Sequence, residues 1–173
     1  MSRFEHQITV DVPVRDVYNQ WTQFESFPSF MEGVEKVVQR DDQTLEWTAS
    51  IAGQRRSWTA VITDQTPDVR VAWKSTSGAE NAGAVLFQPA SAGGTQVTLR
   101  IEVDPEGFVE NVGDKIGVVD RQVKGDLERF KAFIESRGKA TGAWRGEIHG
   151  TDVRDPALSG AGKTNRSGGN DRA

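Results

Sequence analysis

Asp114–Arg137 reads DKIGVVDRQVKGDLERFKAFIESR, and its apolar residues Ile116, Val119, Val123, Leu127, Phe130 and Ile134 recur at three- and four-residue steps. That spacing lines them up along one stripe of an α-helix, with charged residues over the remaining surface. Asp114 is placed to cap the N-terminus, Gly138 to end the helix, and Arg137 to meet the negative end of the helix dipole. A helix of about 24 residues is about 36 Å long at 1.5 Å per residue. A stripe of that length needs a broad apolar surface to cover it, and the rest of the chain has to supply one.

The preceding residues do. Val34–Arg40, Thr44–Ala52, Arg55–Thr66, Val69–Ser77, Ala82–Pro89 and Thr95–Val103 read as strands separated by turn chemistry at Asp41-Asp42, Gly53, Pro67-Asp68, Gly78 to Asn81 and Gly93-Gly94. Connections this short force antiparallel neighbours, because a parallel crossover needs a dozen or more residues. Alternation puts Leu45, Trp47, Ala49, Ile51, Trp58, Ala60, Ile62, Val71, Trp73, Val97, Leu99, Ile101 and Val103 on one face. Glu46, Thr48, Thr59, Thr63, Arg70, Lys74, Thr98 and Arg100 fall on the other, which is the pattern of a sheet with one wet side. Upstream, Phe4–Val12 alternates as a further strand. Val14, Val17, Tyr18 and Trp21 then have helical spacing, with Pro13 at the helix start and Pro28 dividing off a second short helix or turn. The predicted domain is therefore α+β: a seven-stranded curved antiparallel sheet, two short helices after its first strand, and one long C-terminal helix across its dry face.

The balance of the composition fits one such domain, 1–138. The chain has 173 residues, 36% hydrophobic and 27% charged, slightly polar for a globular domain. The excess polarity lies in 139–173, a tail rich in Gly, Ser, Asp, Arg and Asn that is expected to be largely disordered, with the region of Trp144 undecided. Net charge is −4 with both signs interspersed, so no nucleic-acid footprint is present. No apolar run approaches the roughly 20 residues of a transmembrane helix, and Met1-Ser2-Arg3-Phe4 leads straight into a strand, so a cytoplasmic protein is expected. With no cysteine and only His6 and His149 as imidazoles, thiol chemistry is excluded and no metal site is expected. No cofactor is expected either: Gly113-Asp114-Lys115-Ile116-Gly117 lacks the spacing of a phosphate loop.

Phe24-Glu25-Ser26-Phe27-Pro28-Ser29-Phe30-Met31 with Gly33-Val34, and Val71-Ala72-Trp73-Lys74-Ser75 with Gly78, Asn81 and Gly83, resemble segments of the SRPBCC superfamily. Gly94-Thr95-Gln96-Val97-Thr98-Leu99 and Gly125-Asp126-Leu127-Glu128-Arg129-Phe130-Lys131 extend the resemblance, which is to its bacterial, actinobacterial-type polyketide cyclase/dehydrase branch, related to coenzyme-Q-binding START-like proteins. It implies the START-like helix-grip fold, in which sheet and helix leave a cavity for a hydrophobic molecule. Thr141-Gly142-Ala143-Trp144-Arg145-Gly146-Glu147-Ile148 belongs to the same resemblance, with no role attached.

Face parity nominates the ligand-binding residues Phe27, Phe30, Trp47, Trp58, Trp73, Phe87, Leu99, Val119 and Val123, with Ile8, Met31, Ile101 and Leu127 as further candidates. Each could equally be core, because core and cavity share a face. Arg56, Ser75, His6 and Asn81 fall inward or near the rim by the same parity. Arg56 could hold a carboxylate or phenolate, or simply reach solvent beside the turn at Gly53. His6 could be an acid or base or a strand-end residue. Gly117 and Gly125 each cost about 1 kcal/mol against Ala inside a helix. They suggest room for a ligand, a lid where Pro105–Gly113 meets the helix, or close packing against a tryptophan. Three functions follow: binding of a lipid, quinone or polyketide-like molecule; polyketide cyclisation or dehydration, with catalytic residues unassigned; or a protein-interaction module with a filled core. The mostly apolar inward face favours the first, since moving protons on a poly-ketone needs several convergent polar groups. The partner expected is thus a small hydrophobic molecule, with oligomeric state open.

Overall fold

A computed structural model describes residues 1–109 and 113–155. The order is β1 (Ser2–Val10), α1 (Val14–Trp21), a 3₁₀ turn (Phe24–Ser29), β2 (Val34–Gln39), β3 (Thr44–Ile51), β4 (Gln54–Thr66), β5 (Arg70–Gly78), β6 (Asn81–Pro89) and β7 (Thr95–Val103). Then come α2 (Pro105–Phe108), α3 (Lys115–Arg137), β8 (Glu147–His149) and β9 (Asp152–Arg154). The main sheet runs β1-β7-β6-β5-β4-β3-β2, antiparallel throughout, as the short connections require. Only the step from β1 to β7 joins distant parts of the chain, and it encloses the short helices between first and last strand. This is the helix-grip arrangement expected from the sequence.

α3 grips the sheet through Val119, Val123, Leu127, Phe130 and Ile134, all buried. Asp114 caps it through the Gly117 amide (2.9 Å), and Gly138 ends it at φ +74°, a left-handed conformation that favours glycine. Ile116 departs from the expected stripe: in the first turn, where α2 is the neighbour of α3, it is 59% exposed. Neither helix glycine makes room for a ligand or a tryptophan. A Cβ at Gly117 would overlap the Asp114 cap carboxylate, and one at Gly125 would lie 3.0 Å from the Arg129 guanidinium laid across it. The lid expected over Pro105–Gly113 lies partly outside the described residues.

The chain after Gly138 differs from the expected loose tail as far as Asp155. Thr141–Ile148 runs as a strap over α1. The Gln20 side chain donates to Thr141 Oγ1 (3.1 Å) and accepts from its amide (2.9 Å), and Thr22 Oγ1 accepts from the Trp144 amide (3.1 Å). Arg145 donates to Asn19 Oδ1 (2.7 Å), pairs with Asp68 (2.9 Å) and lies over the Tyr18 ring. β8 then pairs with β4 at Asp64 and Gln65, beyond the point where β3 ends opposite Val61, and buries Ile148 completely. Three buried polar side chains, Asn19 and Gln20 of α1 and Thr22 at its C-cap, thus find partners in a segment whose composition alone suggests no structure. The remainder of the expected tail, 156–173, lies outside the described residues. No described helix is long and apolar enough to cross a membrane.

Candidate functional site

Between sheet and α3 the interior divides in two. Towards α1 it is filled by rings. Trp21 meets Phe27 (5.3 Å), Phe30 (5.4 Å) and Phe130 (5.0 Å), and Phe24 closes on Phe27 at 5.2 Å. Towards β2 and the N-terminal half of α3 it is open, leaving a cavity of about 110 Å³. Apolar cavities of about 150 Å³ take up a benzene-sized guest, so this volume is on the scale of one ring.

One wall is built from tryptophan. Trp47 and Trp58 are direct partners in the β3–β4 register, and their rings stack at 5.7 Å and 11°. Trp73, opposite Ile62 on β5, extends the stack to Trp47 at 6.1 Å and 25°. Trp73 lies flat over Gly83, its partner on β6, where a Cβ would overlap the indole. That close approach is why a glycine interrupts an otherwise regular strand. Leu99, Ile101 and Val103 of β7 continue the floor, and Val119 and Val123 of α3 face it. Asp104 caps α2 by accepting from the Glu106 amide (3.0 Å), and α2 brings Phe108 edge-on to Trp58 (5.4 Å) at the margin. Partly exposed Gly33, Val34, Ile51 and Gln122 form the open side.

Polar groups are few. The Asn81 amide donates to Ser75 Oγ (2.9 Å) and its side chain to the Ala79 carbonyl (3.0 Å). Asp126, with a side chain 13% exposed, accepts from Arg129 (2.5 Å), from Gln122 (3.2 Å) and from the Glu32 amide. Burial raises its pKa above the ordinary carboxylate value, against the downward pull of Arg129 and the other donors. Arg129 also donates to the Phe30 carbonyl (3.2 Å), so this cluster fastens α3 to the loop before β2 at the open side. The indole N–H groups of Trp47 and Trp58 are buried and have no hydrogen-bond partner among the described residues.

Of the residues nominated from sequence, Trp47, Trp58, Trp73, Leu99, Val119 and Val123 come together around this cavity with Met31, Asn81 and Ile101, whereas Ile8 and Leu127 are not in its lining. Phe27 and Phe30 belong instead to the ring cluster that fills the other half, and Phe87 packs edge-on against Tyr18 (5.5 Å) beneath α1. They share the inward face but not the empty part of it. Arg56 is outside the lining: its Nε donates to the Gly107 carbonyl (2.7 Å), which ties β4 to α2. Ser75 also lies outside it and closes the β5–β6 turn through Asn81. His6 reaches Asp120 of α3 (Nε2 to Oδ1, 2.8 Å), again away from the cavity. Sequence reasoning missed Phe108, Gln122 and Asp126. The last two were within reach, because they flank Val119 and Val123 at i+3 on the same helix.

Residues 10–132 match the family described as polyketide cyclase / dehydrase and lipid transport. An uncharacterized 17.2 kDa protein of Streptomyces lincolnensis is 52% identical over 149 residues, which is 86% of this chain and 99% of that one. Among solved structures, a Deinococcus radiodurans protein is 30% identical with a TM-score of 0.63, over 79% of this chain and 99% of its own. The Zhui aromatase/cyclase of Streptomyces sp. R1128 has a TM-score of 0.63 at 19% identity, over 82% of this chain and 98% of its own, and at that identity it shares the fold.

Proposed function

Because the chain belongs to the polyketide cyclase / dehydrase and lipid transport family, we propose that it binds a hydrophobic small molecule between sheet and α3, as a carrier rather than a catalyst. The observation that carries this reading is the tryptophan stack: Trp47, Trp58 and Trp73 present flat apolar surface to a space that the neighbouring side chains leave unfilled. A planar ring system of the quinone or polyketide kind suits that wall better than a flexible acyl chain, since a rigid guest loses less freedom on binding. At about 110 Å³ the space takes one ring, and a larger ligand protrudes past Gly33 and Gln122 or displaces them.

One observation favours cyclase or dehydrase chemistry as the second reading. Asp126 borders the cavity and burial raises its pKa, the direction of shift that general-acid catalysis by a carboxyl needs. Its oxygens, however, are engaged by Arg129, Gln122 and the Glu32 amide, and Arg56, His6 and Ser75 are committed elsewhere. Proton movement along a poly-ketone needs more than one free group, so binding is the reading the arrangement supports.

Native mass spectrometry of the protein purified from its own host, followed by solvent extraction, tests the proposal. The expected result is a mass above that of the chain, lost on extraction and recovered as a hydrophobic small molecule. An empty protein that also takes up no hydrophobic fluorescent probe would overturn it. Turnover of an aromatic polyketide precursor, abolished by Asp126→Asn, would replace the carrier reading with the enzymatic one.

A further inference from the structure

Asn81 opens β6 and lines the sheet–helix cavity, where it is 7% exposed. It shares the inward face of β6 with Gly83, over which the Trp73 indole lies flat, and with the buried Val85. Alternation along the strand therefore carries its side chain to the side of the tryptophan stack, about 7 Å from Gly83 at two strand steps. The turn before β6 does not require a carboxamide here. The bond that closes it on Ser75 Oγ comes from the Asn81 backbone amide, which any residue except proline supplies.

The second observation is how that carboxamide is held. Its Nδ2 donates to the Ala79 carbonyl (3.0 Å), a partner that can only accept, so the nitrogen is committed to the turn and Oδ1 is the free end. No described residue donates to Oδ1. Gln122, on the open side, repeats the arrangement: its Nε2 donates to the Asp126 carboxylate (3.2 Å), and no described residue donates to its Oε1. The indole N–H groups of Trp47 and Trp58 are sealed from the cavity. Each carboxamide of the lining thus spends its nitrogen on the protein and keeps its oxygen unused.

We infer that Asn81 sets the specificity of the cavity, selecting a planar aromatic ring with a free hydroxyl, a phenol, whose O–H donates to Oδ1. This rests on the carrier reading above and narrows its ligand: a hydroxylated ring is preferred to a fully oxidised quinone, whose oxygens only accept. A carbonyl oxygen without a donor is costly in an apolar site, and a phenol supplies the donor while its ring lies against the tryptophan wall. A quinone would set oxygen against oxygen. With a cavity of about 110 Å³, on the scale of one ring, the hydroxyl and the stacking face belong to the same ring. A site built to pair with a hydroxyl also rejects the analogue that lacks it, because its own polar group is then left unpaired.

Titration of the ¹⁵N-labelled full chain followed by NMR tests this, with phenol as probe, toluene as its isostere without the hydroxyl and anisole as its methyl-blocked ether. Phenol is expected to shift the Asn81 side-chain amide and the Trp73 indole N–H saturably, and to bind at least threefold more tightly than toluene although toluene is the more hydrophobic. Anisole should bind at least threefold more weakly than phenol. In Asn81→Leu, phenol should lose at least tenfold while toluene holds or gains, which reverses their order. Toluene or anisole binding the parent as tightly as phenol, or phenol still preferred in Asn81→Leu, would overturn the assignment while leaving a hydrophobic cavity in place. The comparison of the three ligands needs only the parent chain, so it decides even if Asn81→Leu does not fold. No saturable shift from any of the three would overturn the carrier reading along with this one.

Discussion

A methyl group at position 83 would overlap the Trp73 indole, so Gly83→Ala has to move a ring that is 5% exposed and stacked on Trp47. Overpacking of that kind costs about 1–3 kcal/mol. The expected outcome is a loss of that size in urea unfolding, together with an altered near-ultraviolet circular dichroism signal from the disturbed tryptophan stack. Gly107→Ala is the control: nothing lies within 4 Å of its Cβ, and stability should stay within about 0.5 kcal/mol. Asp126 yields a prediction in pH. Burial raises its folded pKa above the ordinary 3.8, so the native state holds this proton more tightly than the unfolded chain. The contribution is therefore fully present below that ordinary value and is lost as pH rises through the raised one. Asp126→Asn removes the dependence. The stability difference between variant and parent should move in the variant's favour from about pH 4 towards neutrality. Urea midpoints measured across that range check it, and a difference that stays constant or moves the other way would show that Arg129 outweighs burial.

Among elements, the strap is the one whose removal discriminates most sharply. Ending the chain after Gly138 removes the strap partners of Gln20, Thr22 and Asn19 and opens them to water, with Thr22 Oγ1 keeping its bond to the Asn19 carbonyl. It also uncovers the surface that Ile148 buries. Each lost hydrogen bond costs about 0.5–1.5 kcal/mol and the lost burial of Ile148 about 1.5–3 kcal/mol, while total stability is typically about 5–15 kcal/mol. The chain ending at 138 should therefore melt far below the full chain or fail to fold, whereas one ending after Asp155 should melt within a few degrees of it. Thermal unfolding by circular dichroism separates these outcomes, and equal melting of the shorter chain would make the strap an ornament. The strap also marks the limit of what the sequence makes legible. The meander and α3 can be read because burial on one face writes a period of two or of about three and a half into the order of residues. The strap buries isolated apolar residues, Trp144 and Ile148, and is otherwise held by hydrogen bonds to α1 and its C-terminal cap, and such pairings leave no periodic trace. The burial of Gln65 was hidden for a related reason: a bulge between Ile62 and Asp64 turns it inward, opposite Val71, where alternation along β4 would send it to solvent. In the cavity, parity identifies the wall tryptophans and the α3 valines correctly as inward-facing. It cannot tell Phe30, in the filled half, from Val123, in the empty half, because both face inward and only three-dimensional packing decides where space is left.

At the scale of the whole molecule that division is the property to test. The same sheet and helix enclose a packed ring cluster around Trp21 and, further along α3, an unfilled cavity beside the tryptophan stack. A helix-grip domain with a uniformly filled core would have no place for a ligand, whereas a half-filled one keeps a rigid floor against which a guest can be held. The two halves should respond oppositely to the same enlargement. Val123 lines the cavity and Leu127, one turn further on, does not. Val123→Phe places a ring into existing space, and cavity-filling changes commonly add about 0.5–2 kcal/mol. Leu127→Phe forces a ring into packed surroundings, where overfilling costs about 1–3 kcal/mol. In a fluorescence titration with anilinonaphthalene sulfonate, Val123→Phe should weaken probe binding at least tenfold while its unfolding midpoint holds or rises. Leu127→Phe should lower the midpoint and leave the probe affinity within about threefold. The pairing of readouts is what makes the test specific: a variant that loses binding only because it unfolds cannot also gain stability. Equal probe binding by Val123→Phe and the parent would place the probe outside the sheet–helix cavity and remove the main support for a carrier function there.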